Sequence, residues 1–227
     1  MKKLLAFMGL AVTTASMMFA NVELNTRLFG DFTNIKTEEE IYFVKTEMDL
    51  DFSLFGAEFE SNFWFAHPWI LDIGLSTALD AGFGTGKTKI SATIAGQTVS
   101  VTDEEATGAA GFSIAPAVQF NLGKKNSIFF APGFRFAVID WVYEVADEYE
   151  TSTEDRILFS PEFTLDAGYK FWLLNFLALN VGYQLELPLG ITDMAEGEKL
   201  EYDSALAHRV YLGVCLNLGK RNTGSAE

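Results

Sequence analysis

From about residue 22 to residue 218 the chain keeps returning to one pattern: an apolar side chain at every second position, with polar or small ones between. A period of two belongs to an extended strand, whose successive side chains point to opposite faces; a helix would scatter the same residues around its circumference. Residues 177–189 are the clearest case. Leu177, Leu179, Val181, Tyr183, Leu185, Leu187 and Leu189 share one side, and Ala178, Asn180, Gly182, Gln184 and Glu186 share the other. The same alternation sets Phe159, Phe163 and Leu165 against Glu162, Thr164 and Asp166, and sets Val210, Leu212 and Val214 against Arg209, Tyr211 and Gly213. Segments near 69–80, 112–122 and 128–138 repeat it, and a weaker first strand covers about 22–34.

One segment slips. Tyr42, Val44, Met48, Leu50, Phe52 and Leu54 hold one parity, and then Phe55, Phe59, Phe63 and Phe65 take the apolar positions near Gly56. A single bulge there would move the apolar set to the other parity. A tight turn at Phe55-Gly56 is the alternative and would add a strand. The bulge is favoured, because an even count returns both termini to one side. The expected fold is therefore all-β: an antiparallel up-and-down transmembrane β-barrel of about eight strands.

Where the apolar face points depends on composition. The chain is 49 % hydrophobic and 14 % aromatic with 21 Phe, yet after residue 20 it has no uninterrupted apolar run of membrane-helix length. A barrel that turns its apolar side to lipid uses such a load. The start of the chain reads as a secretory leader: Lys2 and Lys3, an apolar run over 4–12, then Ala20 before a cleavage point at Asn21. The domain reading is a signal peptide at 1–20, a barrel at 21–218 and a tail at 219–227. Removing the leader takes away Lys2 and Lys3 and no acid, so a chain of net charge −15 becomes more acidic still. That balance excludes nucleic acid, which needs clustered Lys and Arg. With one cysteine, Cys215, an exported chain has no internal disulfide.

The polar connections alternate short and long. Short ones fall at 66–68, 124–126 and 174–175; long ones fall near 37–40, 85–107, 147–155 and 192–204. Bacterial barrels have short periplasmic turns and long outer loops, and a periplasmic N-terminus puts each in its place. The run Gly82 to Thr88, GFGTGKT, lacks the spacing and following helix of a phosphate-binding loop and reads as part of a flexible outer loop. His67 and His208 stand without Cys or Glu at zinc-ligand spacing. No Gly-x-Ser-x-Gly element offers a nucleophile. No catalytic, cofactor or metal residue is assigned, and the expectation is a protein that is not an enzyme.

The polar face carries the informative residues. Arg27, Asp31, Lys45, Glu47, Asp72, Arg135, Glu162, Asp166, Lys170, Glu186 and Arg209 are expected to meet in the lumen. The bore of a barrel of about eight strands is just wide enough for side chains to fill, and charges there must pair. The pattern resembles the small eight-stranded outer-membrane barrels of the OmpA, OmpX and OmpW type. The most specific element is Tyr211-Leu212-Gly213-Val214-Cys215-Leu216-Asn217-Leu218, which looks like a barrel-assembly signal, with Leu216 and Leu218 where aromatic residues are usual and a tail after it. The resemblance implies the outer membrane of a diderm bacterium, and as partners lipid and the assembly machinery, with a monomer as the state. It leads to a structural or surface-interaction barrel with a largely plugged polar lumen and acidic outer loops that meet a host or environmental ligand. The alternatives are a passive channel for small solutes, apolar ones included, and a soluble lipocalin-like barrel with the two faces exchanged.

Overall fold

The structure of the protein, a computed structural model, describes residues 21–41, 44–94, 96–146, 151–219 and 221–223. The expected leader at 1–20 and residues 147–150 of one connection lie outside them. The strands are β1 (Asn21–Ile41), β2 (Val44–Ala66), β3 (Leu71–Ile94), β4 (Gln97–Leu122), β5 (Asn126–Ala146), β6 (Thr151–Leu174), β7 (Leu177–Pro188), β8 (Ile191–Asp193), β9 (Lys199–Leu200) and β10 (Ser204–Asn217). β1 to β6 each pair antiparallel with the next strand, β10 pairs with β7, and β1 pairs with β10 from Glu23↔Asn217 to Lys36↔Ser204. Eight long strands thus close on themselves, which leaves no sheet edge along the paired wall. β8 and β9 form a small flap in the β7–β10 connection, with β8 held on β6 through Leu158↔Asp193.

Both ends of the barrel sequence lie at the end with the tight turns 67–70, 123–125 and 175–176. At the other end the strands run on. The segment 85–107, expected as a loop, is strand throughout, apart from its turn around Gly96: β3 and β4 stay in register from Leu71↔Phe120 to Ile94↔Gln97. The first strand likewise continues to Ile41 rather than stopping near Asn34.

The phase slip in β2 has neither a bulge nor a turn behind it. Registers with both neighbours pass unbroken through Phe55 and Gly56, as Gly30↔Phe55↔Phe83 and Phe29↔Gly56↔Gly82. The irregularity against β3 falls at Trp64/Ala66 instead. Leu50, Phe52, Leu54, Glu58, Glu60, Asn62 and Trp64 are all buried on one inward parity. What changes is the surroundings. Along the lower barrel large apolar side chains stand outward in the open, Leu28 at 69 % and Phe83 at 77 % exposure, as a lipid-facing wall requires. Towards the ribbon end the outer face meets water, and Glu47, Asp49 and Lys36 occupy it. There the interior turns apolar: Ile35, Leu50, Phe52, Ile139, Trp141, Leu158 and Ile191 form one buried cluster, with Phe52 edge-on to Trp141 at 6.5 Å.

Burial decides which of these positions carry stability. Phe52→Ala is expected to cost about 3–5 kcal/mol, the range for emptying a packed aromatic site. Asp49→Ala, which removes a partly exposed ion pair with Lys36 at 3.6 Å, should cost under about 1 kcal/mol. Urea unfolding of the lipid-embedded protein measures both.

Candidate functional site: the charged lumen

Below the apolar cluster, inward side chains from seven of the eight long strands fill the bore with charge. Arg135 on β5 and Arg209 on β10 form the first tier. Arg135 donates from Nη2 to Asp80 Oδ1 at 2.7 Å and from Nη1 to Glu162 at 2.8 Å, and reaches Glu186 at 3.3 Å. Arg209 donates to Asp31 at 2.9 Å and Glu58 at 3.1 Å, and its guanidinium lies 4.1 Å from the ring centre of Phe29. Room for Arg135 comes from Gly111, where a Cβ would sit 2.6 Å from its Nε.

Arg27 on β1 forms the next tier. It is paired with Glu58 at 2.8 Å, Glu60 at 2.5 Å and Asp166 at 3.1 Å. Its planar face lies against Tyr211 at 4.2 Å and Phe129 at 5.2 Å, the geometry in which a guanidinium gains from a ring while its edge keeps donating. Tyr211 donates to Asp166 at 2.7 Å. Beneath it Lys170 on β6 bonds Glu23 and donates to Gln119 at 2.8 Å, with Phe129 and Trp64 beside its ammonium. Asn121 donates to Asp72 at 2.6 Å. Many of these bonds cross the bore between strands that are not neighbours in the wall, so they tie opposite sides together. Beside Arg27, among Glu58, Glu60, Asp166 and Gln184, a cavity of about 10 Å³ remains, at the threshold of holding one water.

Of the residues expected in the lumen, Arg27, Asp31, Asp72, Arg135, Glu162, Asp166, Lys170, Glu186 and Arg209 are buried there. Lys45 and Glu47 are not. They lie on the outward parity of β2, on the ribbon side of Leu50, and pair with each other at 2.6 Å and with Glu38 at 3.0 Å from Lys45. Those bonds hold the Lys45 ammonium above its usual pKa and the Glu47 carboxyl below its own. The error follows from the misread phase: with no bulge, the parity carrying Lys45 and Glu47 never turns inward. Glu23, Asn25, Phe29, Gln119 and Phe129 belong to the network without having been singled out. A signal for the rings was present: Phe29 lies over Gly56 and Gly82 of the adjoining strands, and Tyr211 over Gly168 and Gly182. GFGTGKT is likewise strand rather than loop, and its Gly86 makes room for Phe52. His67 is a turn residue beside Asp72 at 2.7 Å, and His208 faces outward next to Tyr183. Among the described residues no group of His, Cys, Asp and Glu is arranged to hold a metal ion.

A closed antiparallel wall, apolar outside and charged within, defines a transmembrane β-barrel of the bacterial outer-membrane class. The faces are the reverse of those a soluble lipocalin-like barrel needs. Solved structures of similar fold include the attachment invasion locus protein Ail of Yersinia pestis in complex with the heparin analogue sucrose octasulfate, at 9 % identity over 88 % of this chain and 100 % of that one, with a TM-score of 0.47. The outer membrane protein OprG of Pseudomonas aeruginosa is 8 % identical over 88 % and 97 % of the two chains, with a TM-score of 0.48. The outer membrane protease OmpT of Escherichia coli is 7 % identical over 87 % and 97 %, also at 0.48. Likeness at this level assigns no activity to the chain. No family model and no curated protein matches the sequence.

Arg135→Ala leaves Asp80, Glu162 and Glu186 short of their shared cation, so a loss of about 3–5 kcal/mol in unfolding free energy is expected. Lys45→Ala should stay within about 0.5 kcal/mol, as surface changes do. Heat-modifiable gel migration and urea titration in lipid separate the two.

Proposed function

We propose that this protein is a non-enzymatic outer-membrane barrel whose lumen is sealed and whose work is done at the cell surface, as a structural or interaction module. The observation that carries this reading is the cross-section at Arg27, Arg135 and Arg209. Three guanidinium groups, each paired to carboxylates, occupy the bore, and the cavity beside Arg27 has room for about one water. An apolar cluster packed inside the barrel above them supports the same reading. A steady ion path needs a continuous hydrated bore, and close packing of this kind argues against one.

The surface half of the reading rests on the ribbon. β4 pairs with β5 only from Thr107↔Trp141 downward, so over residues 97–102 it has β3 on one side and no strand on the other among the described residues. An unpaired strand edge invites pairing with another chain. The ribbon also leaves Val99 and Val101 at 69 % and 67 % exposure beside the acidic run Asp103-Glu104-Glu105. Export by the leader at 1–20, folding by the assembly machinery through residues 211–218, and a monomeric state in lipid complete the proposal.

Two measurements test it. In planar bilayers the folded protein should give little or no steady conductance; a large steady wild-type conductance would show an open path and sink the sealed-lumen reading. An epitope tag inserted after Gly96 should be detected on intact cells and one at Lys124 should not. The reverse pattern would invert the orientation.

A further inference from the structure

After β10 the chain does not leave the barrel but folds back across its short-turn mouth, the periplasmic one. Leu218 donates its N–H to Val22 O at 2.8 Å, and Gly219 donates to Asn217 Oδ1 at 2.8 Å. Arg221 then reaches the β4–β5 turn. It donates from Nη1 to Lys124 O at 2.6 Å and from Nη2 to Gly123 O and Ser127 Oγ, both at 3.4 Å. Its guanidinium lies 4.1 Å from the ring centre of Trp172, and that ring is itself fixed by Nε1 donating to Ser127 Oγ at 3.0 Å. Asn222 goes on to the β2–β3 turn, donating to Trp69 O at 3.0 Å, Leu71 O at 3.3 Å and Asp72 Oδ1 at 3.2 Å. Trp69 has φ of 60°, a left-handed backbone that a tryptophan rarely adopts, so Asn222 clasps a turn that is itself strained.

An aromatic face, two aligned carbonyl oxygens and a hydroxyl make a receptor for a planar cation that donates from its edge, which fits guanidinium and not ammonium. We propose that the periplasmic mouth carries a guanidinium-binding site that the chain's own Arg221 occupies, so that Arg221 and Asn222 act as a displaceable strap over the lower lumen. The strap is held differently from the lumen above it. The lumen arginines are bonded to carboxylates, whereas the hydrogen-bond partners of Arg221 are neutral. Burial accordingly pulls the Arg221 pKa down, to about 10, and the more distant Glu23 and Asp72 offset only part of that. A cation desolvated with little compensation is one whose release costs little, and an arginine side chain presented from another molecule finds the same ring and carbonyls.

The chain contains its own reporter. Cys215, the single cysteine, is buried in a cluster with Trp172 and Ala178, the ring on which Arg221 lies. With the folded protein in nanodiscs, Cys215 should react slowly with a small charged methanethiosulfonate reagent. A chain ending at Leu218, and separately full-length Arg221→Ala, should react faster by about tenfold or more, as loss of a stacked cation and its hydrogen bonds implies. Heat-modifiable migration selects folded samples of each. A synthetic peptide of residues 219–227 should restore protection to the shortened chain, and the same peptide with Arg221→Lys should not. Equal labelling of wild type, shortened chain and Arg221→Ala would overturn the strap. Equal protection by the two peptides would overturn the guanidinium site.

Discussion

A β-strand has two faces and can exchange them only by gaining or losing a residue. The strands here are long enough to leave the membrane, so a fixed parity has to face lipid and then water on one side, and a charged bore and then a dry cap on the other. β2 meets this by changing residue type instead of register. Its inward set passes from Glu58 and Glu60 to Phe52 and Leu50, and its outward set from Phe59 and Phe55 to Asp51 and Asp49. The hydrogen-bond ladder stays regular through this change, and the ribbons gain a conventional apolar core once lipid no longer supplies the apolar phase.

Within the membrane section the arrangement of charges is governed by small residues. A Cβ on Gly182 would lie 2.1 Å from the Tyr211 hydroxyl oxygen, and one on Gly56 would lie 2.5 Å from Phe29 Cζ. The rings therefore lie where the adjoining wall is thin, and their faces take the guanidinium planes of Arg27 and Arg209. A guanidinium held flat on a ring presents its N–H groups edgewise, which is the direction from which Glu58, Asp31 and Asp166 accept. Glycine placement on one strand thus sets ion-pair geometry across the bore.

The same chain of causes explains what the sequence did and did not disclose. Parity was legible because side-chain direction follows from spacing alone, so Arg135, Glu162, Asp166, Lys170 and Arg209 could be assigned to one side strand by strand. Surroundings were not legible, because periodicity is blind to which medium each face meets. Reading the inversion near Gly56 as a bulge sent Lys45 and Glu47 to the wrong side. The 85–107 segment was mistaken for a loop because a strand with water outside and small residues inside is polar and glycine-rich, as loops are. A cue existed: Lys87 falls opposite Glu104, and Lys89 lies next to the partner of Asp103. Phe29 and Phe129 could not be ranked among the polar residues by hydropathy, since their place inside depends on glycines contributed by other strands.

Buried ion pairs seldom stabilise a fold more than well-packed apolar residues would, so the charged lumen calls for another reason. In a barrel the alternative to a correct pairing is a neighbouring register, and a shift of one residue exchanges the two faces of a strand. With an apolar bore, both faces would be acceptable to lipid and slipped barrels would compete closely with the native one. Here Arg27, Arg135, Lys170 and Arg209 lie on four different strands, β1, β5, β6 and β10. A slip of any of these turns a cation into the bilayer, at a cost of about 2–4 kcal/mol near its midplane, and strips its carboxylates of their partner as well. The network penalises every one of those wrong registers while adding little to the right one, which is how buried charge comes to specify a structure.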